Sequence, residues 1–490
     1  MRFWGLFVFT LLTQSLWANN LQVEVLRFSQ PDKLLDIRVS WDNAWLEPDG
    51  AHDAAWLFGK SLQNTLYEPV VFGSELTVSN SELLPEVRPD GLGILLKSQK
   101  NGTVNAVIQV QIISEWSEKT DLFKFMAISM VYVSEGSFWL GDGVASQNAF
   151  RNGKFAQDSS AVLPYLISSE AALPVGKEAN ELFGAPWAEW SPQSNLPGHY
   201  PKGFKAFYAM KYEVTQAQYV DFLNTLTFLE QAKRMSVTPD AGLGAWIYGN
   251  DAERYRNTMQ ISQNGIKDLN RGAFIRTDVG ERACNYLNAS DLTAYLDWAG
   301  LRPFSELEFE KAARGFALPV AGEMAWGTSE AVDANTPVSD FSANASVQER
   351  AQGSAGLASF HSGLSITQLE GPLRSGFGGS SSSNRLQAGG SFFGLRELSG
   401  NLWELCVGIT PEAMFFDAKN GDGRLKNGEA DAWADRPEAW LRWRGGSWNS
   451  FLYEVESFRD ISVSARYYAN LTTDLRRASA GGRGALTWEK

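Results

Sequence analysis

The feature that most constrains this chain is the pairing of 18 tryptophans with 45 glycines in 490 residues. Glycine frees the backbone from the usual φ limits but weakens regular helices and strands. Tryptophan supplies large rigid rings that cover such backbone from water. The expected result is much irregular structure, pinned by aromatic packing. The length leaves room for about two to four domains and a large core. The net charge is −13 and no Lys/Arg run stands out. A nucleic-acid partner is therefore not expected, because phosphate contacts need a basic face.

The first residues read as an address. Arg2 precedes an apolar run, Phe3 to Leu12, and the segment closes on Ser15-Leu16-Trp17-Ala18. A charged start, a short apolar stretch and a small residue predict a signal peptide over 1–18. A membrane anchor is the competing reading, but the run is short for a bilayer span. No cysteine follows Ala18, and no later stretch approaches the ~18 apolar residues of a transmembrane helix. The expected location is outside the cytoplasm: periplasmic, secreted or cell-surface, with no transmembrane anchor after signal removal.

Residues 19–118 alternate with the strand period. Asp36-Ile37-Arg38-Val39-Ser40-Trp41 puts its apolar residues on one face, and turn formers such as Pro48-Asp49-Gly50 and Pro89-Asp90-Gly91 separate such runs. Asn101-Gly102 between Ile94-Leu95-Leu96 and Val107-Ile108 predicts a hairpin. The segment reads as a β-sandwich-like domain, a spacer or docking module. Its competitor is a paired-strand extension of the main domain. Residues 120–490 read as that main domain, one large α+β unit with three helices. Thr215 with Gln218 and Ser305 with Glu308 form capping boxes, and Ser290 is the predicted cap of a third helix that Gly300 stops. Gly315 ends the helix begun at Ser305. The Gly/Ser run from Gly376 to Asn384 is expected to be flexible surface.

Four blocks stand in order along this domain: Met130–Gly143, Phe207–Asn224, Tyr295–Gly315, and Ser399–Cys406 with Trp443–Ser450. Together they resemble the formylglycine-generating enzymes, or sulfatase-modifying factors. The resemblance covers residues 120–490. It implies a C-type-lectin-like superfold with little regular structure. Those enzymes oxidise a substrate cysteine with O2 on a Cu(I) held by two thiolates, one of them just after the Gly-Gly-Ser-aromatic turn. Here that position is Ser450, and Val455 stands where the second thiol would be. No copper and no catalytic residue are therefore expected. The leading reading is a non-catalytic protein. It would bind a peptide, protein or glycan through a C-terminal groove with Ser447, Trp448, Ser450 and Arg466. The alternative is an O2-dependent oxidoreductase of the same type, acting in sulfatase or protein maturation.

The resemblance also implies a structural Ca2+ held by the carboxylates of Glu397 and Glu404 and the carbonyls of Gly400 and Leu402. Oxygen ligation with two acids suits a hard cation. The competing reading is a tight turn with Glu404 paired to an arginine. A second loop, Asp417–Gly423, looks like a calcium loop, but its first ligand position is Ala418, so a polar turn is expected there. Cys284 and Cys406 are the only cysteines. In an exported chain they are disulfide candidates, with two buried thiols as the other possibility. The three histidines show no ligand spacing, which leaves little for zinc or non-haem iron.

Overall fold

The computed structural model describes residues 20–488 except 30–31, 49, 115–122, 144–147, 154–161, 185–194, 250–251, 335–348, 350, 352–355, 362–369, 380–383, 451–459 and 470–473. The expected signal peptide lies outside the described residues. No helix among them is long and apolar enough to cross a membrane.

Nine strands open the chain: β1 (Gln22–Ser29), β2 (Leu34–Ala44), β3 (Asp53–Gln63), β4 (Leu66–Pro69), β5 (Phe72–Val78), β6 (Leu83–Val87), β7 (Ile94–Ser98), β8 (Gly102–Ile112) and β9 (Phe123–Val133). They form two sheets. One has the order β1-β2-β8-β5; the other runs β6-β7-β3-β9, with β4 beside β3. The alternation read in β2 is real: Leu35, Ile37, Val39 and Trp41 are buried between the sheets. Their partners across the gap include Leu57, Ile94 and Leu96.

Asn101-Gly102 does not close a hairpin. β7 pairs with β3 and β6, whereas β8 pairs with β2 and β5. The turn instead carries the chain from one sheet to the other, with Gly102 at φ 99°. Asn101 Oδ1 accepts from the Leu46 N–H at 2.7 Å. β7 is buried throughout, and a strand covered on both faces needs neighbours within its own sheet.

The second sheet does not stop at residue 118. β9 pairs with β3 from Asp53↔Val131 to Ser61↔Phe123, and its other edge pairs with strand Phe207–Met210. That strand continues to Gly484–Leu486 and Arg302–Pro303. One eight-stranded sheet thus joins the N-terminal strands to the rest of the chain. β3 shows why. Ala55 and Leu57 face the sandwich, while Trp56 and Phe58 belong to the large core on the opposite side. Trp56 Nε1 donates to the Ala299 carbonyl at 2.8 Å, and the Phe58 ring meets Trp298 edge-on. The paired-strand extension therefore describes the hydrogen bonding better than a free spacer does.

Among the described residues five α-helices form, the longer four being α1 (Gln216–Leu223), α2 (Phe228–Arg234), α3 (Ala289–Trp298) and α4 (Glu306–Arg314). The capping boxes at Thr215 and Ser305 form as expected, and Gly315 ends α4 at φ 67°. For α3 the cap is Asn288, boxed with Asp291, two residues before Ser290. Asn288 Oδ1 accepts from the Asp291 N–H at 2.8 Å, which starts the helix there, and its Nδ2 donates to the Asp474 carbonyl. Part of the Gly/Ser run is also corrected. Gly376–Gly378 are buried, and the Phe377 ring packs with Leu357 and Leu373.

Candidate functional site

The site region is a short sheet and the turn that leaves it. Strand Trp403–Val407 pairs antiparallel with Leu441–Arg444 and parallel with Ala480–Gly481. The chain then turns through Gly445 and Gly446, at φ 85° and 71°. A Cβ on Gly446 would lie 2.5 Å from Ile461 Cγ2, so this turn admits only glycine. Beyond it the Trp448 N–H donates to the Asn401 carbonyl at 2.8 Å, tying the turn to the Ser399–Glu404 block.

Ser447 and Ser450 face each other within the turn. The Ser447 N–H donates to Ser450 Oγ at 3.1 Å, the Ser450 N–H returns to the Ser447 carbonyl, and Ser447 Oγ donates to Asn449 Oδ1 at 2.6 Å. Both serines are buried. The position expected to carry a thiolate thus closes a turn by hydrogen bonding. Val455 lies outside the described residues.

Trp448 and Arg466 are corrected as ligand-binding residues. Trp448 is buried against Tyr255, Ala283 and Leu402, and its indole donates to the Ala478 carbonyl at 3.1 Å. Arg466 is 0% exposed. Its Nε and Nη2 reach the two oxygens of Glu306 at 2.9 and 3.0 Å, and Nη1 donates to the Asn148 carbonyl. Its guanidinium also covers the Phe150 ring at 3.9 Å. A side chain with these partners holds the fold and presents nothing to a ligand. The accessible aromatic surface lies elsewhere, against the Trp403 strand. Tyr467 is 56% exposed and meets Tyr468 edge-on at 4.8 Å, and Tyr468 in turn meets Trp403 at 5.0 Å.

The acids around Ser399–Glu404 are organised by an arginine. Both oxygens of Glu404 accept from Arg483, at 2.7 Å each. Arg483 also donates to the carbonyls of Lys211 and Arg396. Glu213 is buried beside them and accepts from the Asn401 side chain and from the Leu402 N–H. Burial raises the Glu213 carboxyl, and neighbouring Glu404 raises it further against the pull of Arg483. Glu397 accepts from the Gly376 N–H at 3.0 Å and leaves its second oxygen buried without a partner. Burial pushes Glu397 up to about 7 despite Arg483, Arg396 and Arg374.

This set does not fit calcium. Glu404 has given both oxygens to a guanidinium, which already supplies the positive charge a cation would bring. Glu397, Gly400, Leu402 and Glu404 form the alternative expected from the sequence, a tight turn with Glu404 paired to an arginine. Glu213 and Arg483 could have been suspected only as isolated charges next to glycines and aromatics; sequence distance hid their meeting.

Asp297, Asp422 and Asp431 have oxygens within 4.8 Å of one another. Asp297 already accepts the backbone N–H groups of Asp422, Asp431 and Ala432. It clamps the 417–432 loop, whose first part is the polar turn expected there.

The two cysteines are free and buried. The disulfide candidate is thereby corrected: Cys284, in the loop before α3, and Cys406, on strand Trp403–Val407, belong to separate apolar clusters. Burial raises both thiols well above their ordinary range, so neither supplies a thiolate near neutral pH.

No curated protein matches the chain. Residues 124–470 match the family described as the Sulfatase-modifying factor enzyme 1-like domain. The match begins in β9, where the N-terminal strands join the main sheet, and it implies the C-type-lectin-like fold. It spans more than two thirds of the chain, and the ordered blocks fall within it: the chain belongs to the sulfatase-modifying factor family.

Proposed function

We propose that this chain is a non-catalytic member of its family, exported from the cytoplasm, which binds a peptide, protein or glycan beside the Gly445–Ser450 turn. The observation that carries the reading is Ser450. Its hydroxyl closes the turn with the Ser447 N–H where the resembled enzymes place a copper-binding thiolate. Both cysteines of the chain are buried elsewhere with raised thiols. Accessible aromatic surface suits binding, and Tyr467 and Tyr468, against Trp403 on the strand that pairs with Leu441–Arg444, supply it here.

Three assays test the reading. Incubation with copper, O2 and a Cys-x-Pro-x-Arg peptide should leave the peptide mass unchanged. A product lighter by the thiol-to-aldehyde difference would overturn the non-catalytic assignment. The mature chain should bind in a screen of glycans and envelope peptides, and Tyr467→Ala should weaken that binding. Equal binding by the variant would move the site elsewhere. Fractionation with mass analysis of the N-terminus tests cleavage after Ala18, and an intact Met1 start would refute it.

A further inference from the structure

A cavity of about 240 Å3 opens at the far end of strand Leu441–Arg444 from the Ser447–Ser450 turn. Its walls are the start of α3, through Ser290 and Thr293, and the segment Glu429–Trp440. Trp433 and Trp440 line it and are nearly buried. Their indole N–H groups are already spent, on the carbonyls of Lys419 and Ala434. Toward a ligand they therefore offer ring surface and no donor.

The charged lining is unbalanced: Glu429, Asp435 and Glu438 stand against the single guanidinium of Arg436. Glu429 is drawn off by Arg234 and Lys233, behind the wall. Glu438 pairs with Arg436 at 3.2 Å. Asp435 has no side-chain partner among the described residues. Arg436 sits at φ 60°, ψ 59°, just before Pro437. That conformation is unfavourable for a non-glycine residue, and doubly so before proline. The lip of the cavity is held against its own backbone preference, a pattern that clusters at binding sites.

We propose that this cavity binds a primary ammonium group, with Asp435 as its counter-ion and Trp433 and Trp440 as its apolar wall. A compact ammonium suits the small volume, and indoles favour cations near their rings. Asp435 is exposed and hydrated, so it gives a neutral ligand no charge attraction but offers an ammonium group one. A lysine side chain and an amino sugar share this chemistry. The inference stands whether or not the domain is catalytic.

The test is calorimetric titration of the full chain with N-acetyl-lysinamide and with glucosamine. N-acetylglucosamine serves as the neutral control. At least one of the two ammonium compounds should bind, more weakly at high salt, and the stronger identifies the source. The neutral control should not bind. Asp435→Asn should weaken binding by about tenfold to a hundredfold, the loss expected for one charge-assisted hydrogen bond. Ala434→Phe should abolish it by filling the cavity without changing charge. Both positions are exposed, so both variants should keep the wild-type melting curve. No binding of either ammonium compound overturns the proposal. So does equal binding by Asp435→Asn, or preference for the neutral sugar.

Discussion

Glu306 gives the sharpest test of what holds the site region together. It caps no helix; it opens α4 and lies fully buried between two guanidiniums. Arg466 takes both of its oxygens, and Arg444 reaches it at 3.2 Å while also holding Glu310. Glu310 and Glu323 share Arg314. Three carboxylates and three guanidiniums therefore link α4 to the strand before the glycine turn. Burial alone would raise the Glu306 carboxyl, but Arg466 and then Arg444 outweigh it and hold the group at about 2. The ordinary value is 4.5, so this depression corresponds to roughly 3 kcal/mol of native-state stability. A second route agrees: Glu306→Gln leaves Arg466 buried without a carboxylate, which costs roughly 3–5 kcal/mol. Because the folded value is depressed, the contribution is fully present above pH 4.5 and lost as pH falls through about 2. Urea unfolding across that window should show a gap of roughly 3 kcal/mol between wild type and variant near neutrality, narrowing below pH 4.5. The double variant Glu306→Leu/Arg466→Met should lose less than Glu306→Gln, since it strands no charge. A neutral-pH gap under about 1 kcal/mol, the scale of an exposed pair, would refute the buried-network argument. So would a gap that does not change with pH.

Other outcomes rest on the same structure. Chelator and excess calcium should leave the melting temperature unchanged, while Glu404→Gln should lower stability by roughly 3–5 kcal/mol because Arg483 loses its bidentate partner; a chelator-sensitive wild type would restore calcium to the turn. A thiol reagent should label neither cysteine in the native state and both after unfolding without reductant; no label in the unfolded, unreduced chain would mean a disulfide. Lys60, buried with its ammonium on the Gly423 carbonyl, is pushed down to about 7 by burial, with Asp297 opposing. The cost of burying its charge is fully present below about pH 7 and relieved as pH rises to 10.5, so Lys60→Met should gain on wild type below neutrality, by an amount that shrinks in alkali. An equal response of both proteins to pH would contradict this.

Local patterns in the sequence determined much of this protein. The alternation of β2, the capping boxes at Thr215 and Ser305 and the glycine stop at Gly315 depend on residues a few positions apart, so reading them needs no knowledge of the fold. The ordered blocks identified the family, and Ser450 stands where the resembled enzymes carry a thiolate. Only the tertiary structure decided which residues meet. Asn101-Gly102 looked like a hairpin, yet its two strands found better-matched partners in opposite sheets. Trp448 and Arg466 carried the side chains of a binding surface, but burial turned them inward. Cys284 and Cys406 could have bridged, and packing put them in different clusters. Glu404 had the chemistry of a metal ligand. Arg483, 79 residues later in the chain, neutralised it, because burying a carboxylate demands a partner and sequence distance sets no limit on where that partner comes from.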